Sequence, residues 1–384
     1  MSDTPVVVHA AELLRYSFGD DHPMGPRRAE LAWWLAERLD LTRGVRLVDV
    51  PPVNEDWLRL VHADDYLAAL ADGRPHPQRG IGSDDNPLVP GLPAVAARIA
   101  SATVEAARQV WTGEARRAVN VSGGLHHALP GETAGFCIYN DAAIAIRWLL
   151  EQGAERIAYV DLDAHHGDGV ERVFWDDPRV LTISLHESGL HLFPHTGFPR
   201  EVGGEGARGS AANVSFMPMT GDRAWLHSVA AIVPPLIEAF RPQVIISQHG
   251  ADPHRSDPLA DLWVSVDAMA AAQRMVIDLA DRFAAGRWIG LGGGGYNRDA
   301  VGRTWAALLA SAQGLALDPA LTLPREWVAL ADGKGSATLS DPWADDVSEL
   351  ADGVRTHWQN TSIVATSRAV FPHWGLEPYP GRRG

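Results

Sequence analysis

The run Ile157-Ala158-Tyr159-Val160-Asp161-Leu162-Asp163-Ala164-His165-His166-Gly167-Asp168-Gly169 decides how the rest of the chain is read. An apolar, β-branched stretch gives way to alternating carboxylates and imidazoles and then to glycine, which marks a short strand breaking into a polar loop. Similar runs recur at Arg117 to Ser122, Val180 to Leu185, Val244 to Ser247 and Trp288 to Leu291. Between them lie longer Ala/Leu/Arg segments expected to be helical: Pro26 to Leu39, Ala94 to Val110, Ala142 to Gln152, Arg223 to Phe240, Asp267 to Ala285 and Asp299 to Ser311. Strands alternating with helices predict an α/β fold whose parallel sheet is covered by helices.

Ligands of open α/β sheets gather beyond the carboxyl ends of the strands, so the residues following each run carry the functional information. Gly123-Gly124-Leu125-His126-His127 follows the first, Gln248-His249-Gly250-Ala251-Asp252 the fourth, and Gly292-Gly293-Gly294-Gly295-Tyr296-Asn297 the fifth. Ten of the sixteen histidines fall between His126 and His254. In extended backbone, side chains at i and i+2 point the same way, so Asp163 and His165 can share one metal. Asp252 supplies a third donor, and three protein ligands with one open position define a catalytic zinc rather than a closed structural one. On spacing alone, a polar strand end or a magnesium site remains open. His126 and His127 can be an exposed or simply hydrogen-bonded pair. Alternatively, Asp161 and Asp168 accept from their rings, fixing tautomer and raising basicity.

Composition bounds the alternatives. The 384 residues carry 33 Lys+Arg against 48 Asp+Glu, a net charge of −15, which disfavours phosphate-backbone binding. The basic residues are nearly all arginine; Lys334 is the only lysine, which removes a Schiff-base or P-loop lysine from the core. One cysteine, Cys137, excludes an internal disulfide framework and any CxxC knuckle, and a reducing cytoplasm is the natural setting. The N-terminus lacks the charge and apolar pattern of a secretory signal, and no apolar run is long enough to span a membrane. Gly290 to Gly295 and Gly204 to Gly209 both match G-x-G-x-x-G, but the second follows a loop and the first leads directly into Tyr296, so dinucleotide binding is disfavoured. No G-x-S-x-G serine elbow occurs. The stretch His186 to Ser210 is too long and Gly-rich for a connector and is expected to be a functional loop. Beyond Gln313 the helical alternation fades, and Trp327, Trp343, Trp358 and Trp374 predict a segment, residues 316–384, packed on a main body of residues 1–315.

Taken in order, Gly-Gly-Leu-His-His-Ala, Asp-Leu-Asp-Ala-His-His-Gly-Asp-Gly, Gln-His-Gly-Ala-Asp with Asp257-Pro258-Leu259, and Gly-Gly-Gly-Gly-Tyr resemble the zinc-dependent histone deacetylase family, and more narrowly its bacterial acetoin-utilisation, AcuC-like branch. Supporting pieces are His22-Pro23-Met24 with Arg27 and Arg28, Asp84-Asp85-Asn86-Pro87, Gly135-Phe136-Cys137, and Ser184-Leu185-His186-Glu187 followed by Phe193-Pro194. The resemblance implies a single open, mostly parallel sheet of the arginase/deacetylase kind. It further implies zinc on Asp163, His165 and Asp252, with ferrous iron equally suited to that donor set. His127 with Asp168 would be the general base and acid, His126 with Asp161 would tune the field, and Tyr296 would hydrogen-bond the acetyl oxygen. Phe136 and Phe193 would wall a tunnel around a lysine stem, the Gly135 carbonyl would meet its amide, and Asp85 would hold the substrate backbone at the rim. Structural K+ or Na+ would sit near Asp161, Asp163, His165, Ser184 and Leu185, and again near Phe174, Asp177 and Val180.

The implied reaction is hydrolysis of N6-acetyl-lysine in proteins to lysine and acetate, with acetyl-coenzyme A synthetase as the substrate expected from the branch and no nucleic acid or membrane partner. Deacetylation of small acetylated amines such as acetylpolyamines is the alternative. One departure is visible: the family's tunnel loop reads Phe-Pro-Gly-Thr-Gly, whereas this chain has Phe193-Pro194-His195-Thr196-Gly197.

Overall fold

The computed structural model describes residues 2–25, 27–331, 333, 335–347 and 361–381; Pro26, Lys334 and Trp358 lie outside them. Among the described residues, eight strands, β1 (Val6–Val8), β2 (Arg46–Val48), β3 (Arg117–Asn120), β4 (Ile157–Asp161), β5 (Val180–Glu187), β6 (Ala211–Phe216), β7 (Val244–Gln248) and β8 (Trp288–Leu291), form one open sheet in the order β2-β1-β3-β8-β7-β4-β5-β6. Every pairing is parallel. The expectation of a mostly parallel sheet thus becomes an entirely parallel one.

Alternate residues feed two cores, as the two-residue period of a strand requires. Ala158, Val160, Leu181, Ile183 and Ile245 face one side, with the helices Arg27–Arg38, Asp222–Phe240, Val266–Phe283 and Arg298–Ala312. Ile157, Tyr159, Val180, Val244, Ile246 and Ile289 face the other, with Leu92–Trp111 and Asp141–Glu151. All five residues of β4 and all eight of β5 are buried, so the central strands are covered on both faces, as parallel sheets demand.

The five expected strands and six expected helices are present, with ends shifted by at most two residues. Three strands were not anticipated. β1 and β2 are three residues each, too short to show a period, and β6, Ala-Ala-Asn-Val-Ser-Phe, is built largely from residues with little strand preference. The loop expected from His186 begins after Glu187, because β5 runs two residues further than its apolar stretch; His186 and Glu187 are buried polar residues of the strand. Beyond residue 315, Trp327 is fully buried and donates through Nε1 to Asp299 at 2.7 Å. The helix Thr361–Val370 lies on β6, with Thr366 Oγ1 donating to the Asn213 carbonyl at 2.6 Å.

Candidate active site

The four adjacent strands β3, β8, β7 and β4 end level with one another: Asn120 is paired with Leu291, Leu291 with Gln248, and Gln248 with Asp161. The polar segments that follow them therefore emerge side by side. They are knitted by backbone bonds, Leu162 N to Gln248 O at 3.0 Å and Ala251 N to Gly294 O at 2.9 Å.

At the base, one donor atom each from Asp163, His165 and Asp252 lie within 4.8 Å of one another, and all three residues are buried. Backbone and side-chain donors aim the carboxylates: Gly294 N (2.7 Å) and Gln248 Nε2 (3.2 Å) donate to Asp163 Oδ2, and Ala164 N (2.8 Å) donates to Asp252 Oδ1. His165 Nδ1 lies 3.0 Å from Asp252 Oδ2 and 3.3 Å from Asp163 Oδ1. Gly294 and Gly250 permit this convergence, since a Cβ would come within 2.0 Å of Asp252 Oδ2 at the first and 2.2 Å of Asp163 Oδ2 at the second.

Two carboxylates so close in a dry interior cannot both stay charged without a cation between them. Burial and the Asp163 charge push Asp252 up to about 6, while His165 is held well above its ordinary range, because its two carboxylate neighbours outweigh burial. The site calls for positive charge, and two oxygens plus one imidazole form a donor set suited to Zn2+ or Fe2+.

Above it stand the two histidines. Asn140, N-cap of the helix Asp141–Glu151, holds their loop by donating through Nδ2 to the carbonyls of His126 and Ala128, both at 3.0 Å. His126 Nδ1 donates to Asp161 Oδ2 (2.8 Å), which also receives the Tyr159 hydroxyl (2.8 Å); His127 Nδ1 donates to Asp168 Oδ1 (2.7 Å). The partners expected from sequence are those observed. The effect on basicity differs between them. Burial opposes charge on His126, but Asp161 and Asp163 overcome it and raise the ring to about 9. Burial and the neighbouring His126 lower His127 to about 4 against the pull of Asp168. Asp168 therefore fixes the tautomer of His127 and raises its basicity, but by less than burial and His126 lower it, so the ring is neutral at pH 7.

Aromatic rings stand beside these groups. The Phe193 ring is 5.0 Å from His127, edge to face, and Phe136 is 5.8 Å from Tyr296. The Tyr296 ring lies 6.5 Å from His165. Gly135 fits between two of these groups, where a Cβ would stand 2.4 Å from His127 Cδ2 and 2.9 Å from Phe193 Cε1. Burial among carboxylates raises the Tyr296 phenol well above 10, so it is a neutral donor. Asp257 Oδ2 accepts from Tyr296 N at 2.7 Å, and the Arg28 guanidinium lies 5.2 Å from the ring centre while donating to the Gly293 carbonyl at 2.7 Å. Asp85 is exposed, and its carbonyl accepts from His22 Nε2 at 3.2 Å. Its neighbour Asn86 receives Phe136 N through Oδ1 at 2.9 Å.

Of the residues expected near monovalent ions, Asp161 pairs with Ser184 across β4 and β5, and the buried Leu185 follows. Phe174, Asp177 and Val180 form a separate turn, with Asp177 N bonded to Phe174 O (3.0 Å) and Val180 N to Asp177 O (3.1 Å). Sequence reading left Arg28, Asn86, Asn140, Tyr159, Gln248 and Asp257 without site roles. Arg28, Asn86 and Asp257 stand inside quoted motifs, and Gln248 ends its strand beside His249. Nothing local distinguishes Asn140 or Tyr159, whose partners come from distant segments.

A family profile described as histone deacetylase domain matches residues 22–312, and the chain belongs to the histone deacetylase family, a class of deacetylase hydrolases. Among curated relatives, the acetoin utilization protein AcuC of Bacillus subtilis (strain 168) is 35% identical over 348 residues, spanning 88% of this chain and 89% of its own. The AcuC of Staphylococcus xylosus is 33% identical over 90% of this chain and 92% of its own. A crystal structure of an HDAC homolog from Aquifex aeolicus superposes with a TM-score of 0.78 at 26% identity, covering 92% of this chain and all (100%) of that one. An HDAC homolog complexed with SAHA gives 0.79 at 26% identity, with the same coverage of 92% and 100%.

Proposed function

We propose that this chain hydrolyses N6-acetyl-lysine in proteins to lysine and acetate, with Zn2+ or Fe2+ held by Asp163, His165 and Asp252. The observation that carries the reading is the placing of two carboxylate-paired histidines and a neutral tyrosine around one three-donor cluster. A bound divalent ion would supply Lewis acidity, polarising the acetyl carbonyl and lowering the pKa of an adjacent water toward about 7.

The side chains do the rest. Neutral His127, its Nδ1–H committed to Asp168, takes a proton on Nε2 as the water oxygen bonds to the carbonyl carbon. The Tyr296 hydroxyl donates to the oxygen that becomes anionic. His127 then delivers the proton to the lysine nitrogen as the C–N bond breaks, a transfer favoured by its low proton affinity. His126 with Asp161 sets the field at His127. Phe136 and Phe193 grip the aliphatic stem, the Gly135 carbonyl accepts from the amide, and exposed Asp85 is available to a peptide backbone, which favours protein over small-amine substrates.

Acetyl-coenzyme A synthetase is the substrate expected from similarity to the AcuC proteins, in a cytoplasmic setting. The same reading places structural K+ or Na+ near Asp161, Asp163, His165, Ser184 and Leu185, and near Phe174, Asp177 and Val180. It takes residues 1–315 as the catalytic domain and 316–384 as a covering segment, supported by the burial of Trp327 and Phe371. Among the described residues no helix is long and apolar enough to cross a membrane. Turnover of an acetyl-lysine peptide beside acetylated putrescine, each with and without chelator, tests the proposal. Chelator-sensitive release of acetate preferentially from the peptide is expected, and preference for the polyamine would move the substrate class.

A further inference from the structure

The two phenylalanines proposed to wall the slot are held in different ways. Phe136 has left-handed backbone (φ 66°) and is pinned from both sides by other segments: its N–H donates to Asn86 Oδ1 at 2.9 Å and its carbonyl accepts the Tyr16 hydroxyl at 2.7 Å. Phe193 stands at the exposed end of a loop anchored at its two feet. At one foot Ser188 N bonds to Phe216 O (2.7 Å); at the other Thr196 Oγ1 bonds to His166 Nδ1 (2.8 Å) and Gly197 N to Glu201 Oε2 (2.7 Å). Between the feet, His195 is the residue in left-handed backbone (φ 67°), a conformation usually left to glycine. Its ring turns back across the loop, and Nδ1 lies 3.0 Å from the Gly189 carbonyl. A carbonyl can only accept, so Nδ1 carries the proton. The loop is folded tightly at that point: a Cβ on Gly189 would come within 2.7 Å of the His195 carbonyl carbon and of Thr196 O.

We propose that His195 is a positioning residue, a latch whose imidazole bond to Gly189 closes the 189–195 loop and sets Phe193 against His127, and so fixes how wide a side chain the slot accepts. The inference rests on the deacetylase reading above and adds a determinant of selectivity to it. A backbone conformation better suited to glycine is kept because the side chain it carries supplies the cross-loop bond that glycine would lack.

The test uses the metal-replete full chain with acetyl-lysine and butyryl-lysine versions of one peptide, together with amide hydrogen exchange of residues 189–195. His195→Gly and His195→Ala should raise KM for the acetyl peptide about three- to tenfold, as expected for loss of one hydrogen bond, with kcat within about twofold. Both should favour the butyryl peptide relative to wild type and should exchange faster in the loop. His195→Asn tolerates left-handed backbone and offers an N–H to Gly189, so it should restore KM and slow exchange. The latch is overturned if His195→Gly and His195→Ala match wild type in KM and exchange, or if His195→Asn behaves as His195→Ala does. Should wild type process neither peptide, the functional reading fails, while exchange across the variants still decides whether the latch exists.

Discussion

The Nε2 atoms of His126 and His127 lie 3.0 Å apart, and a single proton serves the contact between them. With His126 held up to about 9 and His127 down to about 4, that proton belongs to His126 and is donated to the Nε2 lone pair of His127, which leaves His127 Nε2 unprotonated, as the proposed general base requires. Replacing His127 by Ala should lower kcat by about 10²- to 10⁴-fold, the usual contribution of a general base, while metal content stays at the wild-type level. Steady-state kinetics with metal analysis on the same preparation checks this. A variant within a few-fold of wild type would remove His127 from proton transfer.

Tyr296 is held in place by its backbone bond to Asp257 and by Arg28 beside its ring, so removing its hydroxyl should leave the fold and the metal cluster unchanged. Tyr296→Phe should lose about 10²- to 10³-fold in kcat, or roughly 2.7 to 4 kcal/mol, the range for one oxyanion donor. Wild-type turnover by this variant would exclude the phenol from the reaction.

His62 links pH to stability at a distance from the metal ligands. Its Nδ1–H donates to Leu129 O (3.1 Å), its Nε2 accepts from Asn140 N (3.0 Å), and burial lowers it from 6.5 to about 4. The folded protein keeps this ring neutral where the unfolded chain would protonate it. Its contribution is therefore complete above pH 6.5, declines as pH falls toward about 4, and is flat below that. The full loss is about 3 kcal/mol. Denaturant titrations between pH 7 and 4 should show His62→Gln with a correspondingly shallower decline than wild type. Parallel curves would place the acid sensitivity elsewhere.

Asp341 ties the chain beyond residue 315 to the body. Its carboxylate receives Arg303 Nη2 (2.9 Å), His254 Nε2 (3.1 Å) and Val266 N (2.9 Å), and His254 and Arg303 outweigh burial to hold it well below the usual carboxylate range. Arg303 is 1% exposed, so Asp341→Ala leaves a buried guanidinium with Asp299 as its one carboxylate partner beside the Leu339 carbonyl and should cost about 3 kcal/mol. A denaturation midpoint unchanged from wild type would show that this ion pair contributes nothing.

Much of this architecture was legible in the sequence because the central strands and the residues that follow them form continuous segments. β4 and β8 were read to the residue, and the site's charged groups follow β3, β4, β7 and β8 within a few positions. The short edge strands were not legible, since three residues carry no period. The supporting contacts were not legible either. Asn140 holding the His126 loop, Tyr159 reaching Asp161, and Arg28 beneath Tyr296 join residues that only the folded sheet brings together. The opposite shifts of His126 and His127 depend on burial, which a pair of adjacent imidazoles in a sequence does not reveal.

Acetate release from an acetyl-lysine peptide, measured on the metal-replete chain, after chelation, and after Zn2+ is returned, tests the deacetylase assignment most directly. Turnover should be lost with the metal and recovered with it, and Asp252→Ala should show neither activity nor recovery. Turnover that survives complete chelation, or metal-replete protein that releases no acetate from any acetyl-lysine peptide, would contradict it.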